Sequence, residues 1–276
     1  MKRLRVADAL ASVALALAYG VALAADAPPA PGQDKTTLQV FAAASLSDAF
    51  TAIGRAVERQ HAGLRVRFNF AGSQQLAAQL AQGAVADLFA SADDRWMKDA
   101  QDRDLVSREP VVFAKNRVVV IVPTTNPARI RQLQDLARDG VKLVLGADAV
   151  PVGHYARTVL RNLASDPAFG QDFAGRVLRN VVSEEENVKS VVAKVQLGEA
   201  DAGMVYRSDV TRAVARFVRV LEIPGGANVL VSYPIAFIRD GKAPDAARAF
   251  VDFVLSGEGQ AILERRGLIP IPQPRP

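Results

Sequence analysis

The sequence predicts an α/β protein of two lobes, and two observations carry that reading. After residue 36, short apolar runs alternate with helical patterns, the arrangement that builds largely parallel sheets covered by helices. A fresh strand-rich half then opens at "RVVVIVP" (117–123), and "IPGGANVLVSYP" (223–234) reads as a return crossing. Two long strands would thus link two hinged lobes. A single α/β domain built on one long sheet fits the same pattern and stays open at this level.

The chain begins with Lys2-Arg3-Leu4-Arg5 and the apolar run "ALASVALALAYGVALA", in which Ala22 and Ala24 supply an A-x-A-like cleavage site. Residues 1–24 are expected to be a secretory signal peptide, because the run is short and rich in small residues. Residues 25–36, with their Pro and Ala, are expected to form a disordered lead-in, and 271–276 a flexible tail. With 276 residues, half of them hydrophobic, the chain can bury one large core or two smaller ones. It has no cysteine, hence no disulfide, no thiol chemistry and no thiol for a lipid anchor. The expected location is the periplasm, free in solution. Net charge is +5, of which Lys2, Arg3, Arg5 and Asp8 account for +2, and the rest is scattered rather than clustered. Nucleic-acid binding is a poor reading of such a pattern.

Strands are expected at 38–42, 64–70, 86–90, 117–123, 141–146, 177–182, 202–206, 218–222 and 230–238. Helices are expected at 46–60, 73–82, 93–101, 131–138, 152–164, 169–174, 186–197, 208–215, 244–255 and 258–265. Lobe 1 would comprise 37–116 plus 228–270, and lobe 2 residues 117–227.

The chemistry lies where strands hand over to helices. In "FAAASLSDAF" Ser45 is placed to cap the first helix, with Asp48 three residues on. In "FNFAGSQQL" Gly72-Ser73 stands at the second helix start, where glycine permits close approach. In "LGADAVPVGHY" Pro151 suits a first helical position, with Gly153 just beyond. In "VVSEEENVKS" Ser183 is placed to cap before Val188. Any one such turn is usually only a cap. Four, two in each lobe and all at the carboxyl ends of strands, point to an anion site built of helix N-termini. Only the fourth turn has a basic residue, Lys189, so the ligand would be a small deprotonated oxyanion held by neutral donors. Glu184, Glu185 and Glu186 work against that reading, since three carboxylates would repel a dianion.

Tyr206 ends a short buried strand, where a core role is the default and donation to a ligand the alternative. Trp96, the one tryptophan, reads as core or lobe surface. His61 and His154 have no neighbours at metal-ligand spacing. No nucleophile, Walker or dinucleotide motif is present, which makes an enzyme the weaker class.

The blocks "VFAAASLSDAF", "FNFAGSQQLAAQLAQGAVADLFASADDRWM", "VPVGHYA" and "EENVKSVVAKVQLGEADAGMVYRSD" together resemble the periplasmic molybdate-binding proteins of ABC importers, from about residue 38 to about 270. The resemblance implies a type II periplasmic-binding fold with molybdate or tungstate in a cleft between the lobes. It further implies donors from Ser45 and Ser73, from the N–H groups of Val152 and Val188, and from Tyr206. Molybdenum would be held only as molybdate through these residues, with no direct metal-ion ligand and no cofactor. The family most often has Ala where this chain has Val152, whose larger side chain would tighten the cleft. The implied partner is a membrane permease with its ATPase, served by a monomer without a membrane anchor. The rivals are the same fold binding sulfate or another small oxyanion, an exported α/β hydrolase, and the ligand-sensing part of a transcription regulator. The last would need a DNA-binding segment where the signal peptide stands.

Overall fold

Strand β4 organises the molecule, because it is long enough to belong to two groups of strands. The computed structural model describes residues 36–107 and 109–272. In chain order the elements are β1 (Thr36–Ala43), α1 (Ser47–Gln60), β2 (Leu64–Ala71), α2 (Ser73–Ala81), β3 (Leu88–Ala90), α3 (Asp94–Asp102) and β4 (Val111–Pro123). Next come β5 (Leu143–Gly146), α4 (Pro151–Ala164), α5 (Phe173–Arg179), β6 (Val181–Glu185), α6 (Val188–Gln196), β7 (Ala202–Tyr206) and β8 (Val218–Leu221). The described chain ends with β9 (Leu230–Phe237), α7 (Pro244–Leu255), α8 (Gly257–Arg265) and β10 (Ile269–Pro270).

The sheet runs β2-β1-β3-β9-β4-β7-β5-β6, with β8 and β10 also pairing with β4. The first half of β4 pairs antiparallel with β9, from Val111↔Ile235 to Arg117↔Leu230. Its second half pairs antiparallel with β7 and with β8. Away from β4 and β9 the strands are parallel: β1 with β2 and β3, and β5 with β6 and β7. The expected parallel character therefore holds for the outer strands and fails around the two crossing strands. Asn228 ties the return segment to β4, accepting from the Val118 N–H at 3.2 Å and donating to the Val118 carbonyl at 2.9 Å.

Strand β1 shows why its sequence is an unbroken apolar run. Leu38, Val40 and Ala42 face one core while Phe41 faces a second, with Leu76, Phe89 and Met97. A strand covered on both faces has no polar side to alternate with. In the larger core Phe50 of α1 meets Phe113 of β4 and Phe250 of α7, each at 5.4 Å between ring centres.

Several expected boundaries are corrected. Residues 177–182 are not one strand: α5 runs Phe173–Arg179 in place of the expected helix 169–174, and β6 starts at Val181. Phe173 and Val177, four apart, are buried on one helical face, and the helical period prevails over the β-branched composition. The helices expected at 131–138 and 208–215 are short 3-10 turns, Leu133–Ala137, Arg207–Asp209 and Val214–Arg216. Strand β4 starts six residues before the expected 117, because the polar Lys115-Asn116-Arg117 hides its continuity. The expected signal peptide, nearly all of the lead-in and residues 273–276 of the tail lie outside the described residues.

Replacing Phe50 by Ala removes a ring shared by α1, β4 and α7, and is expected to destabilise the protein by about 3–5 kcal/mol. Equilibrium urea unfolding checks this.

Candidate functional site

Four strand-to-helix turns converge on one cavity. Its lining includes Ser45, Gly72, Ser73, Val152, Val188 and Tyr206, and no Lys, Arg, His, Asp or Glu among the described residues. All five residues expected to bind a ligand thus meet in one place. The centre of a water-sized sphere can range over only about 10 Å³ there, too little space for an organic solute.

Each turn is built differently. Ser45 does not cap α1: it lies in the 3-10 turn Ala44–Leu46, and the N-cap position is Leu46, without a side-chain cap. Its Oγ lies instead 3.0 Å from the Tyr233 Oη. Ser73 is the first residue of α2, after Gly72 at the N-cap. The Ala92 N–H donates to the Ser73 Oγ at 3.0 Å, which leaves the Ser73 proton free to point elsewhere.

Pro151 opens α4, as expected. A Cβ on Gly153 would lie 2.2 Å from the carbonyl oxygens of Gly146 and Ala147, so glycine lets α4 press against the end of β5. The cap of α6 is Asn187 rather than Ser183, which sits in β6 and bonds Glu185 and Lys194. Asn187 accepts from the N–H groups of Lys189 at 2.9 Å and Ser190 at 3.1 Å. The N–H groups of Val152 and Val188 fall in helical first turns, where no intrahelical acceptor exists.

Tyr206 ends β7 with its side chain fully buried, and its Oη has no hydrogen-bond partner among the described residues. Such a group is costly unless something else completes it. Burial pushes its pKa well above the ordinary tyrosine value, with Tyr233 and nearby acids adding to the effect, so the phenol keeps its proton. Asp209 holds the strand end through the Tyr206 N–H at 3.3 Å.

The charges absent from the lining are paired around the rim. Glu184 pairs with Arg157, Glu185 with Lys194 at 2.7 Å, and the Gln75 Nε2 donates to Glu186 at 2.9 Å. Burial alone would raise the Glu185 carboxyl, but the bonds from Lys194 and Ser183 outweigh it and hold it below its ordinary value. The charges of Glu184 and Glu185 are thus answered by ion pairs, Glu186 has only a neutral amide donor, and none of the three lines the cavity. Lys189 lies 2.9 Å from Asp48 of α1 and 3.3 Å from the buried Asp209. Burial would lower the lysine pKa, yet the two carboxylates raise it, so Lys189 stays charged. Burial raises Asp209 in turn, opposed by Lys189 and the Tyr206 N–H.

These contacts also join the two halves of the sheet. The Trp96 indole N–H donates to the Ala149 carbonyl at 2.8 Å, Arg95 donates to the same oxygen at 2.9 Å, and the Gln74 Nε2 donates to the Glu186 carbonyl at 2.7 Å. Trp96 therefore works at the junction while its ring packs against the second core, consistent with the expected core or lobe-surface place. Sequence reasoning missed Asn187 as the cap, although Asn directly before an apolar helical stretch is a recognised signal. It also missed Tyr233 and Asn116, which no local pattern marks.

A two-lobed α/β fold with a small donor-lined cavity where the lobes meet defines a solute-binding protein of the periplasmic type II class. A family model described as bacterial extracellular solute-binding protein matches residues 38–269. The chain belongs to that family and, within it, to the group of the ModA molybdate-binding proteins. The molybdate-binding protein ModA of Mycobacterium tuberculosis is 40% identical over 255 residues, 92% of this chain and 93% of that one. Among solved structures, the periplasmic molybdate-binding protein of Azotobacter vinelandii superimposes with a TM-score of 0.73 at 18% identity, covering 86% of this chain and 100% of that one. The sulfate-binding protein SubI of Mycobacterium tuberculosis reaches 0.76 at 17% identity, covering 86% and 87%. At these identities the two structures establish the fold alone.

Asn187→Ala removes a cap that serves two N–H groups and is expected to lower stability by about 1 kcal/mol. A shifted urea midpoint with an unchanged slope is the expected result.

Proposed function

We propose that this protein captures molybdate, and tungstate with it, in the periplasm and delivers it to an ABC import permease driven by its ATPase. The observation that carries the oxyanion reading is the buried, partnerless hydroxyl of Tyr206, a residue that lines a cavity without formal charge. Donors from both halves surround the same space: the hydroxyls of Ser45 and Ser73, and the first-turn N–H groups of α4 and α6. A fully deprotonated oxyanion can accept from all of them, whereas hydrogen phosphate carries a proton that needs an acceptor. The choice of molybdate is supported by the ModA relatives, since the fold is shared with a sulfate-binding protein. Longer metal–oxygen bonds make molybdate and tungstate larger than sulfate, and Val152 in the lining bears on that size limit.

The protein acts as a binding protein and not a catalyst, as a monomer with no membrane anchor, exported by its N-terminal segment. The lobes, 37–116 with 228–270 and 117–227, move about β4 and the return segment before β9. Ligand bound by both lobes favours the closed form, which is the form a permease would recognise.

Calorimetric titration with molybdate, tungstate, sulfate and phosphate tests the reading, with one-to-one binding of the first two expected. Binding of sulfate alone would overturn the ligand, and binding of none would overturn the site. Tyr206→Phe removes only the partnerless hydroxyl. It is expected to leave the melting temperature unchanged or higher while weakening molybdate by about 2 kcal/mol, roughly 30-fold. Gly72→Ala places a Cβ 2.5 Å from the Glu186 carbonyl of the facing half. That substitution is expected to hinder closure and weaken molybdate binding by roughly 10-fold or more, with a small change in melting temperature.

A further inference from the structure

The hydroxyl of Ser45 is held by a chain of buried side chains that starts on the crossing strands. The Asn116 Nδ2, on β4, lies 2.8 Å from the Ser208 Oγ and 3.3 Å from the Tyr233 Oη, and the Tyr233 Oη, on β9, lies 3.0 Å from the Ser45 Oγ. Asn116 and Tyr233 are wholly buried, and Ser45 and Ser208 nearly so.

The direction of the chain follows from its first member. The Arg117 N–H donates to the Asn116 Oδ1 at 2.9 Å, which turns the amide nitrogen toward Ser208 and Tyr233. Tyr233 therefore receives a hydrogen bond from Asn116. Burial pushes the Tyr233 pKa well above its ordinary value, so the phenol keeps its proton and must give it to an acceptor. The acceptor within reach among the described residues is the Ser45 Oγ. With that position filled, the Ser45 proton is left to point into the cavity. Ser73 is set the same way by the Ala92 N–H, a backbone donor that no side-chain change removes.

We propose that Asn116 and Tyr233 are positioning residues that turn the Ser45 proton toward the cavity, and so help the site disfavour oxyanions that carry a proton. This rests on the oxyanion-capture reading above. A free serine can turn and accept from a P–OH group, whereas a serine already accepting from Tyr233 could do so only on its second lone pair, which would turn its own proton away from the ion with no acceptor among the described residues. Selectivity against hydrogen phosphate is thus set partly from the strands that join the lobes, outside the cavity lining.

The test is titration of the full-length mature protein and of Tyr233→Phe with molybdate, sulfate and phosphate at neutral pH. In the variant Ser45 regains the freedom to accept. The molybdate-to-phosphate affinity ratio is expected to fall by roughly 10-fold, while the molybdate-to-sulfate ratio, which compares two unprotonated ions, stays as in the wild type. Uniform weakening of all three ions, or unchanged ratios, would overturn the relay and leave the capture function standing. A wild-type protein that binds none of the ions would overturn the function itself, and the relay with it. The double variant Tyr233→Phe, Asn116→Leu removes the chain at similar volume and is expected to show the same selective fall. A single variant that fails to fold is thereby replaced by a second reading of the same ratio.

Discussion

A strand shared between two groups of strands must satisfy hydrogen-bond partners on both, and β4 does so along its length. Its first half is bonded to β9 and its second to β7 and β8, so neither half of the sheet can be rearranged without disturbing the other. This constraint brings the carboxyl ends of β1, β2, β5 and β6 to a common point, with the helices that follow them. The cavity is a consequence of that convergence. Polar side chains in the middle of β4 are not a lapse in the apolar pattern: Asn116 stands where the strand passes from one half to the other, and there it bonds Tyr233 of the second crossing strand.

A site for a dianion can be built with cations or with oriented dipoles, and here the lining holds only dipoles. A buried ion pair gains little once both partners have been desolvated. Donors held by the backbone need no reorganisation when an anion arrives. The cations and carboxylates are placed one layer out, where Lys189 joins Asp48 to Asp209 and Arg157 and Lys194 occupy Glu184 and Glu185. Of these pairs, the one between Lys189 and Asp48 joins α1 to the facing half, and bonds from Gln74, Arg95 and Trp96 to backbone carbonyls join α2 and α3 to it.

The part of the site legible in the sequence is the part that rests on local geometry. Pro151 at a first helical position and Gly72 before a helix depend on neighbours a few residues away, and such signals survive in a single chain read linearly. Ser45 was legible as a site residue but not in its local role, because a capping serine and a serine within a 3-10 turn are preceded and followed by the same residues. Ser183 misled for a similar reason: it begins a capping pattern, but Asn187 stands closer to the helix and takes the N–H groups.

The family resemblance implied Val152, Val188 and Tyr206; by itself, the pattern of the sequence determined the alternation of strands and helices, the apolar runs of strands covered on both faces, and the turns that meet at the cavity. These follow from periodicity and from backbone requirements that act over a few residues. Only the tertiary structure decided the antiparallel pairing of β4 and β9, the ion pairs of Glu184 and Glu185, and the chain from Asn116 through Tyr233 to Ser45. Those partners are separated by more than a hundred residues in sequence between Asn116 and Tyr233. Contacts at that range depend on how the crossing strands register, and register is a property of the folded sheet that no local pattern encodes.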